Sequence, residues 1–286
     1  MRPSRAPRFY AERIRTKLKK PEVFEKLEHR HLQLLNEAKG WNTGRDFHAC
    51  YNPFFSIGLR KIGLGKNLID ILSRIPRQKK QPLKILEDGP GEGIFLTELK
   101  EQLGIKGIIS QTTALAMHHM IELQQLKILG ELDKIIKKST EEFIPEEQYH
   151  AIFSVYGGIS YTLQELRKDI ILKFAHSLVK GGVLMIGFDF YTSGGTNAGI
   201  SRGLSENPQL RRARSKKERE IYEKDKGIFA PLIFQENLLT IEKEMEGIEK
   251  AFAKQGFKAK FVPLSDENQE HLSSMPNYML IIQRIR

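Results

Sequence analysis

Apolar residues recur along this chain in two rhythms. Between residues 12 and 39, Val23, Phe24, Leu27, Leu34 and Leu35, with His31 on the same stripe, fall near helical spacing. The pattern predicts helix over this stretch, interrupted at Pro21. From Gly40 to Gly65 the pattern is irregular and aromatic, with Trp41, Phe47, Tyr51, Phe54 and Phe55 among glycines. Such a segment needs a surface to cover, so it is expected to pack on the main domain or over a pocket. Residues 66–74 read as helix, and the basic, proline-bounded segment Ile75–Pro82 reads as a linker.

From there short apolar runs alternate with amphipathic stretches. Leu83–Glu87 predicts a strand and Ile94–Leu103 a helix; Gly107–Gln111 predicts a second strand, and about 113–130 a helix. Asp133–Lys138 and Tyr149–Val155 read as strands, the first weaker. Leu163–Val179 reads as a helix stopped by Gly181-Gly182, and Val183–Phe190 as the next strand. The alternation breaks over Tyr191–Pro231, a glycine-rich and then basic insertion on the ligand-facing side. A helix over about 236–255 follows, then strands Phe257–Pro263 and Tyr278–Arg284, joined as an antiparallel hairpin. This order predicts an α/β fold: a doubly wound, seven-stranded, mostly parallel sheet with helices on both faces. Residues 1–75 form a basic helical extension that serves as a cover. Residues 76–286 form the main domain, with the insertion at about 191–235.

Composition sharpens this picture. Hydrophobic residues make up 40% of the chain and charged residues 28%, a balance that supports a packed core. The net charge is +11, and it is unevenly placed. Residues 1–82 hold 19 Lys/Arg against 7 Asp/Glu, whereas the remainder is close to neutral. This asymmetry suits a polyanion or a solvated basic arm. The lone Cys50 excludes an internal disulfide and a thiolate metal cluster, and no metal site is expected. No apolar run approaches the ~18–20 residues of a bilayer span. The first twenty residues are basic with Glu12 the only acid, as in a transit segment to the mitochondrial matrix; a cytoplasmic protein is the default expectation.

The sharpest motif is Glu87-Asp88-Gly89-Pro90-Gly91-Glu92-Gly93, between a predicted strand and a predicted helix. Glycines permit a tight turn and close ligand approach, and a helix N-terminus offers free N–H groups. A phosphate loop is disfavoured because the Lys-Ser/Thr signature is missing. A nicotinamide fingerprint is disfavoured because its third glycine would fall at Ile94.

With G-x-G-x-G after a strand ending in an acid, the chain resembles the class I S-adenosylmethionine-dependent methyltransferases. Tyr149–Ser154 resembles that family's fourth strand, Leu178–Ile186 its helix, double-glycine turn and fifth strand, and Ala251–Phe257 its last helix-to-strand junction. The resemblance covers roughly 66–190 and 236–286. It implies S-adenosylmethionine as cofactor, seated by Glu87, Gly89, Pro90, Gly91 and Gly93. The family's ribose-binding acid has no counterpart in Ile109–Thr112, so Ser110 and Gln111 take that place by resemblance. Ser139 and Thr140 fall by the adenine, and Ser154 beside the cofactor. Tyr156 is expected to shape the acceptor pocket, and Asp189, ending the fifth strand, to act as base or orienting carboxylate. His118, His119, His150 and His176 are read as packing residues.

The expected reaction is methyl transfer to an oxygen or nitrogen of a small-molecule acceptor. Two alternatives stay open: an RNA methyltransferase gripping phosphates through residues 1–82 and 211–217, and a non-catalytic binding protein on the same fold. The Asn/Asp-Pro-Pro-Tyr/Phe signature of base-amino methylation is absent, and Cys50 lies far from the turn that cytosine-C5 chemistry uses.

Overall fold

The computed structural model describes residues 5–38, 52–65, 67–78, 80–118, 120–155, 158–188, 238–264 and 278–286. In chain order the elements are α1 (Ala6–Leu18), α2 (Pro21–Ala38), α3 (Asn52–Lys61), α4 (Leu68–Arg74), β1 (Leu83–Asp88), α5 (Ile94–Ile105), β2 (Ser110–Ala116), α6 (Met120–Ile128), β3 (Lys134–Lys137) and β4 (Tyr149–Ser154). A short 3-10 turn (Gly158–Tyr161), α7 (Gln164–Ala175), β5 (Leu178–Phe188), α8 (Leu238–Ala253), β6 (Phe257–Pro263) and β7 (Tyr278–Arg284) complete it.

The seven strands run in the order β3-β2-β1-β4-β5-β7-β6. β1 through β5 are mutually parallel, and β7 is antiparallel to both β5 and β6. The central strands are apolar on both faces, and their alternation divides the core in two. Leu83, Ile85, Val183, Met185, Met279 and Ile281 face one layer with α3, α4 and α5. Leu86, Leu184, Ile186, Leu280 and Ile282 face the other, with α1, α2, α7 and α8. This double burial is what a parallel sheet requires.

Several expectations on element bounds are corrected. The helix predicted before residue 40 breaks at Pro21 as expected, but its first part starts at Ala6 rather than at residue 12. Part of the irregular aromatic segment is helical: α3 opens with Asn52-Pro53, and a proline is well placed in a first helical turn. Trp41 and the rest of 39–51 lie outside the described residues. The second strand is Ser110–Ala116, not Gly107–Gln111, and the next helix begins at Met120 rather than about 113. Thr112–Ala116 is buried, and its pairing with β1 overrides the helical preference of its alanines. Gly181-Gly182 does not stop a helix. α7 ends at Ala175, and the glycines lie inside β5, where pairing with β4 shifts register between Tyr149 and Ala151. Gly182 has room for no side chain there: a Cβ would stand 2.9 Å from the carbonyls of His150 and Val179. The 191–235 insertion lies outside the described residues.

The basic extension is built into the helical layer. Tyr10, Ala11 and Ile14 of α1 are buried. Arg13 and Lys17 bracket the buried Asp169 of α7 at 3.3 and 2.8 Å. Lys26 meets Glu165, and Arg30 donates to the carbonyl of Thr162. Part of the N-terminal positive charge is therefore engaged internally. No helix among the described residues is long and apolar enough to cross a membrane.

Because Ile14 is fully buried in α1, Ile14→Ala is expected to destabilise the protein by about 2–4 kcal/mol in urea unfolding. A loss below about 0.5 kcal/mol would mean that α1 is not part of the cooperative core.

Candidate functional site

The carboxyl ends of the parallel strands form the one sheet edge where backbone and side chains are free to meet a ligand. β1 reaches that edge at Asp88, and the glycine turn follows at once. Gly89, Gly91 and Gly93 take φ of +72°, +57° and +86°, the left-handed region that glycine alone enters without strain. Gly89 N–H donates to the carbonyl of Leu115 on β2, and Gly93 N–H to that of Pro90. The first bond continues the β1–β2 ladder by one rung, and the second closes the turn ahead of α5. Gly93 also lies against α6: a Cβ there would stand 2.7 Å from Leu126 and 2.9 Å from Leu123.

The alternation of β1 sends Glu87 and Asp88 to opposite faces of the sheet. Glu87 lies on the α5 side beside its cross-strand neighbours Ala114 and Phe153. It is 4% exposed, and its Oε2 has no hydrogen-bond partner among the described residues. Burial, with the Asp88 charge next to it, raises its pKa well above the usual carboxylate range. A desolvated carboxylate with an idle oxygen beside a side-chain-free turn fits a ligand that brings a donor or a cation.

Asp88 lies on the α7 side and is fully engaged. Its Oδ1 accepts from Thr140 Oγ1 at 2.6 Å, and its Oδ2 from Ser154 Oγ at 2.9 Å and Ile159 N–H at 2.8 Å. Burial pushes its pKa from 3.8 up to about 6, against the pull of these hydrogen bonds and with a further push from Glu141. Behind it, Lys173 of α7 is wholly buried and donates to the carbonyls of Thr140 and Glu141 at 2.7 and 3.3 Å. Burial lowers its pKa to about 7. From α2, His31 approaches Glu141 at 3.5 Å.

The sequence-predicted residues divide accordingly. Glu87, Gly89, Pro90, Gly91 and Gly93 come together at the sheet edge. Thr140 and Ser154 also reach it, but their hydroxyls are tied to Asp88 beneath the surface. Ser139 is buried and accepts the Glu142 N–H, shaping the turn after β3. Ser110 and Gln111 pair with Leu83 and Lys84, the first residues of β1. They sit at the amino end of β2, about 16 Å by strand rise from the glycine turn. The residues that do reach the edge from β2 are Ala116, Met117 and His118; the misplaced strand boundary hid them. Tyr156 and Asp189 lie outside the described residues, as does His119. His150 accepts the Lys84 N–H through Nδ1, and His176 stacks on Tyr10. Asp88 was missed as a site residue, although a carboxylate inside an apolar strand was a visible signal. Among the described residues no cluster of His, Cys, Asp and Glu could hold a metal.

The fold is shared with solved methyltransferases. The plantazolicin methyltransferase BpumL, in complex with a triazolic desmethylPZN analog and SAH, matches with a TM-score of 0.51 at 15% identity, over 97% of each chain. The plantazolicin methyltransferase BamL, in complex with the same type of analog and SAH, gives 0.48 at 14%, over 99% of this chain and 98% of that one. PKMT2 from Rickettsia typhi, in complex with AdoHcy, gives 0.47 at 12%, over 83% and 53%. No family model matches the sequence, and no curated protein does.

The raised pKa of Asp88 has a stability consequence. The folded chain holds this proton more tightly than the unfolded chain does. Its contribution is therefore most favourable below pH 3.8, where both states are protonated, and worsens by about 3 kcal/mol in total as pH rises through and beyond 6. Asp88→Asn keeps the shape and removes the charge. Its thermal midpoint should gain on the wild type by several degrees more at pH 7.5 than at pH 5; an equal difference at both would contradict this account.

Proposed function

We propose that this chain, which has the fold of the class I S-adenosylmethionine-dependent methyltransferases, binds S-adenosylmethionine at the glycine turn and transfers its methyl group to a small-molecule acceptor. The observation that carries the reading is the idle, buried Oε2 of Glu87 beside three left-handed glycines. Gly89, Gly91 and Gly93 would lie against the amino-acid tail and ribose, and Glu87 would receive the ammonium. Met117 and His118 are the side chains offered from β2, so the ribose would be held without a carboxylate from that strand.

When bound, the cofactor supplies a methyl group already activated by a positive sulfur. The chain then needs mainly to position the acceptor in line, and to take a proton if the acceptor carries one. In sequence Asp189 directly follows β5 and Tyr156 follows β4 by two residues. In this reading Tyr156 shapes the acceptor pocket. The cofactor, held by Glu87, Gly89, Gly91 and Gly93, would supply the methyl group, and Asp189 would take the proton of the acceptor oxygen or nitrogen. The stretch after β4, from Val155 to Leu163, carries no charged residue, which favours a small molecule over a polyanion there.

Calorimetry with S-adenosylhomocysteine tests the cofactor site. The wild type is expected to bind it, Gly91→Arg to lose binding, and Glu87→Gln to bind roughly tenfold more weakly. Burial raises the pKa of Glu87 and a docked ammonium would favour its ionised form, so docking should release a proton wherever the free site holds one. Affinity should therefore rise with pH, and the binding enthalpy should vary with the ionisation enthalpy of the buffer. Absence of binding at millimolar ligand would refute the assignment.

A further inference from the structure

The glycine turn and Glu87 account for one face of β1. The other face ends in a carboxylate that the proposed methyl transfer does not use. Asp88 is 1% exposed and accepts three hydrogen bonds from three separate pieces of chain. Thr140 belongs to the segment after β3, Ser154 ends β4, and Ile159 lies in the 3-10 turn that follows. Ser154 Oγ also accepts the Ile159 N–H at 3.1 Å. All of these segments emerge at the ligand-facing edge beside the glycine turn.

The turn after β4 is shaped around this carboxylate. Gly158 has φ of +27°, and a Cβ on it would fall 1.5 Å from Asp88 Oδ2. The backbone at 158 therefore leaves no room for a side chain beside the carboxylate. From behind, Lys173 grips the carbonyls of Thr140 and Glu141, so the segment after β3 is held from two sides. The charged groups around Asp88 are Glu87 on its own strand, Glu141 after β3 and Lys173 on α7, with His31 of α2 reaching Glu141.

We propose that Asp88 is a positioning residue: its carboxylate gathers Thr140, Ser154 and the Ile159 amide beneath the glycine turn, and so fixes the relative placement of the three chain segments that wall the cofactor and acceptor cleft. It touches neither ligand and acts through those segments. The inference rests on the proposed methyl transfer for its ligand, but the anchoring itself is judged independently of any ligand.

Chemistry separates the informative variants. The Ile159 N–H can only donate, whereas the hydroxyls of Thr140 and Ser154 can reverse. Asp88→Asn can therefore keep the arrangement, with its carbonyl oxygen on the Ile159 and Ser154 side and its amide donating to Thr140. Asp88→Ala loses all three bonds. Amide hydrogen exchange at Ile159, with Ile152 in the middle of β4 as internal reference, reads the anchoring. Calorimetry with S-adenosylhomocysteine, well below the thermal midpoint, reads its effect on the site.

In Asp88→Ala, Ile159 protection should fall and the S-adenosylhomocysteine Kd should rise, each by about tenfold or more, with Ile152 unchanged. Asp88→Asn should restore both to within about threefold of wild type. Gly158→Ala leaves the carboxylate in place and pushes the turn off it; it should reproduce the loss at Ile159, which keeps the test decisive if Asp88→Ala does not fold. Wild-type protection at Ile159 in the folded variants, or wild-type affinity in Asp88→Ala, overturns the proposal. So does a loss shared equally by Ile152, because that is general destabilisation. If the wild type itself binds no S-adenosylhomocysteine, the methyl-transfer reading fails, and Ile159 protection alone decides whether Asp88 anchors the turn.

Discussion

A parallel sheet buried on both faces leaves its strand ends as the place for chemistry, and this constraint governs the molecule. β1, β4 and β5 carry apolar side chains into two separate cores. Polar groups on those strands are tolerable only where the strands stop, and there they must find partners or be left for a ligand. Glu87 and Asp88, adjacent in sequence and opposite in orientation, are the two outcomes. One keeps an idle oxygen beside the glycine turn; the other is saturated by the protein itself.

Burying charge in this way is not a route to stability. Asp88, Glu141 and Lys173 lie within one interior, and replacing buried ionic groups by well-packed neutral ones is often neutral or stabilising. What they provide is direction. Three hydrogen bonds to one carboxylate select a single arrangement of three chain segments, where an apolar contact would accept many. The extension contributes to the same layer: α1 covers α7 and neutralises Asp169, and α2 brings His31 to the rim at Glu141.

Much of this was legible in the sequence. The strand–glycine–helix unit at 83–105 and the hairpin 257–284 were readable because local pattern and tertiary demand agree there: β1 is apolar and ends in a turn, and β6 and β7 have the expected bounds. The register of β2 was not, because Thr113-Ala114-Leu115-Ala116 is ambiguous between helix and strand until β1 pairs with it. That error carried Ser110 and Gln111 to the wrong end of the strand and concealed Met117 and His118. Gly181-Gly182 misled for a related reason: the glycines answer to a neighbouring strand's carbonyl, a demand that local sequence does not record. The role of Asp88 is not legible in local sequence, because its partners lie 52, 66 and 71 residues away.

The tight approach at Gly158 ties two distant positions into one choice. A carboxylate at 88 and a side chain at 158 would compete for the same space. A shorter residue at the first position removes the collision at the second, where the φ of +27° still favours glycine. Acquiring the carboxylate, conversely, is tolerable only in a lineage that already lacks a Cβ there. The order of substitutions is therefore constrained: glycine first, acid second, with the reverse path passing through a steric collision.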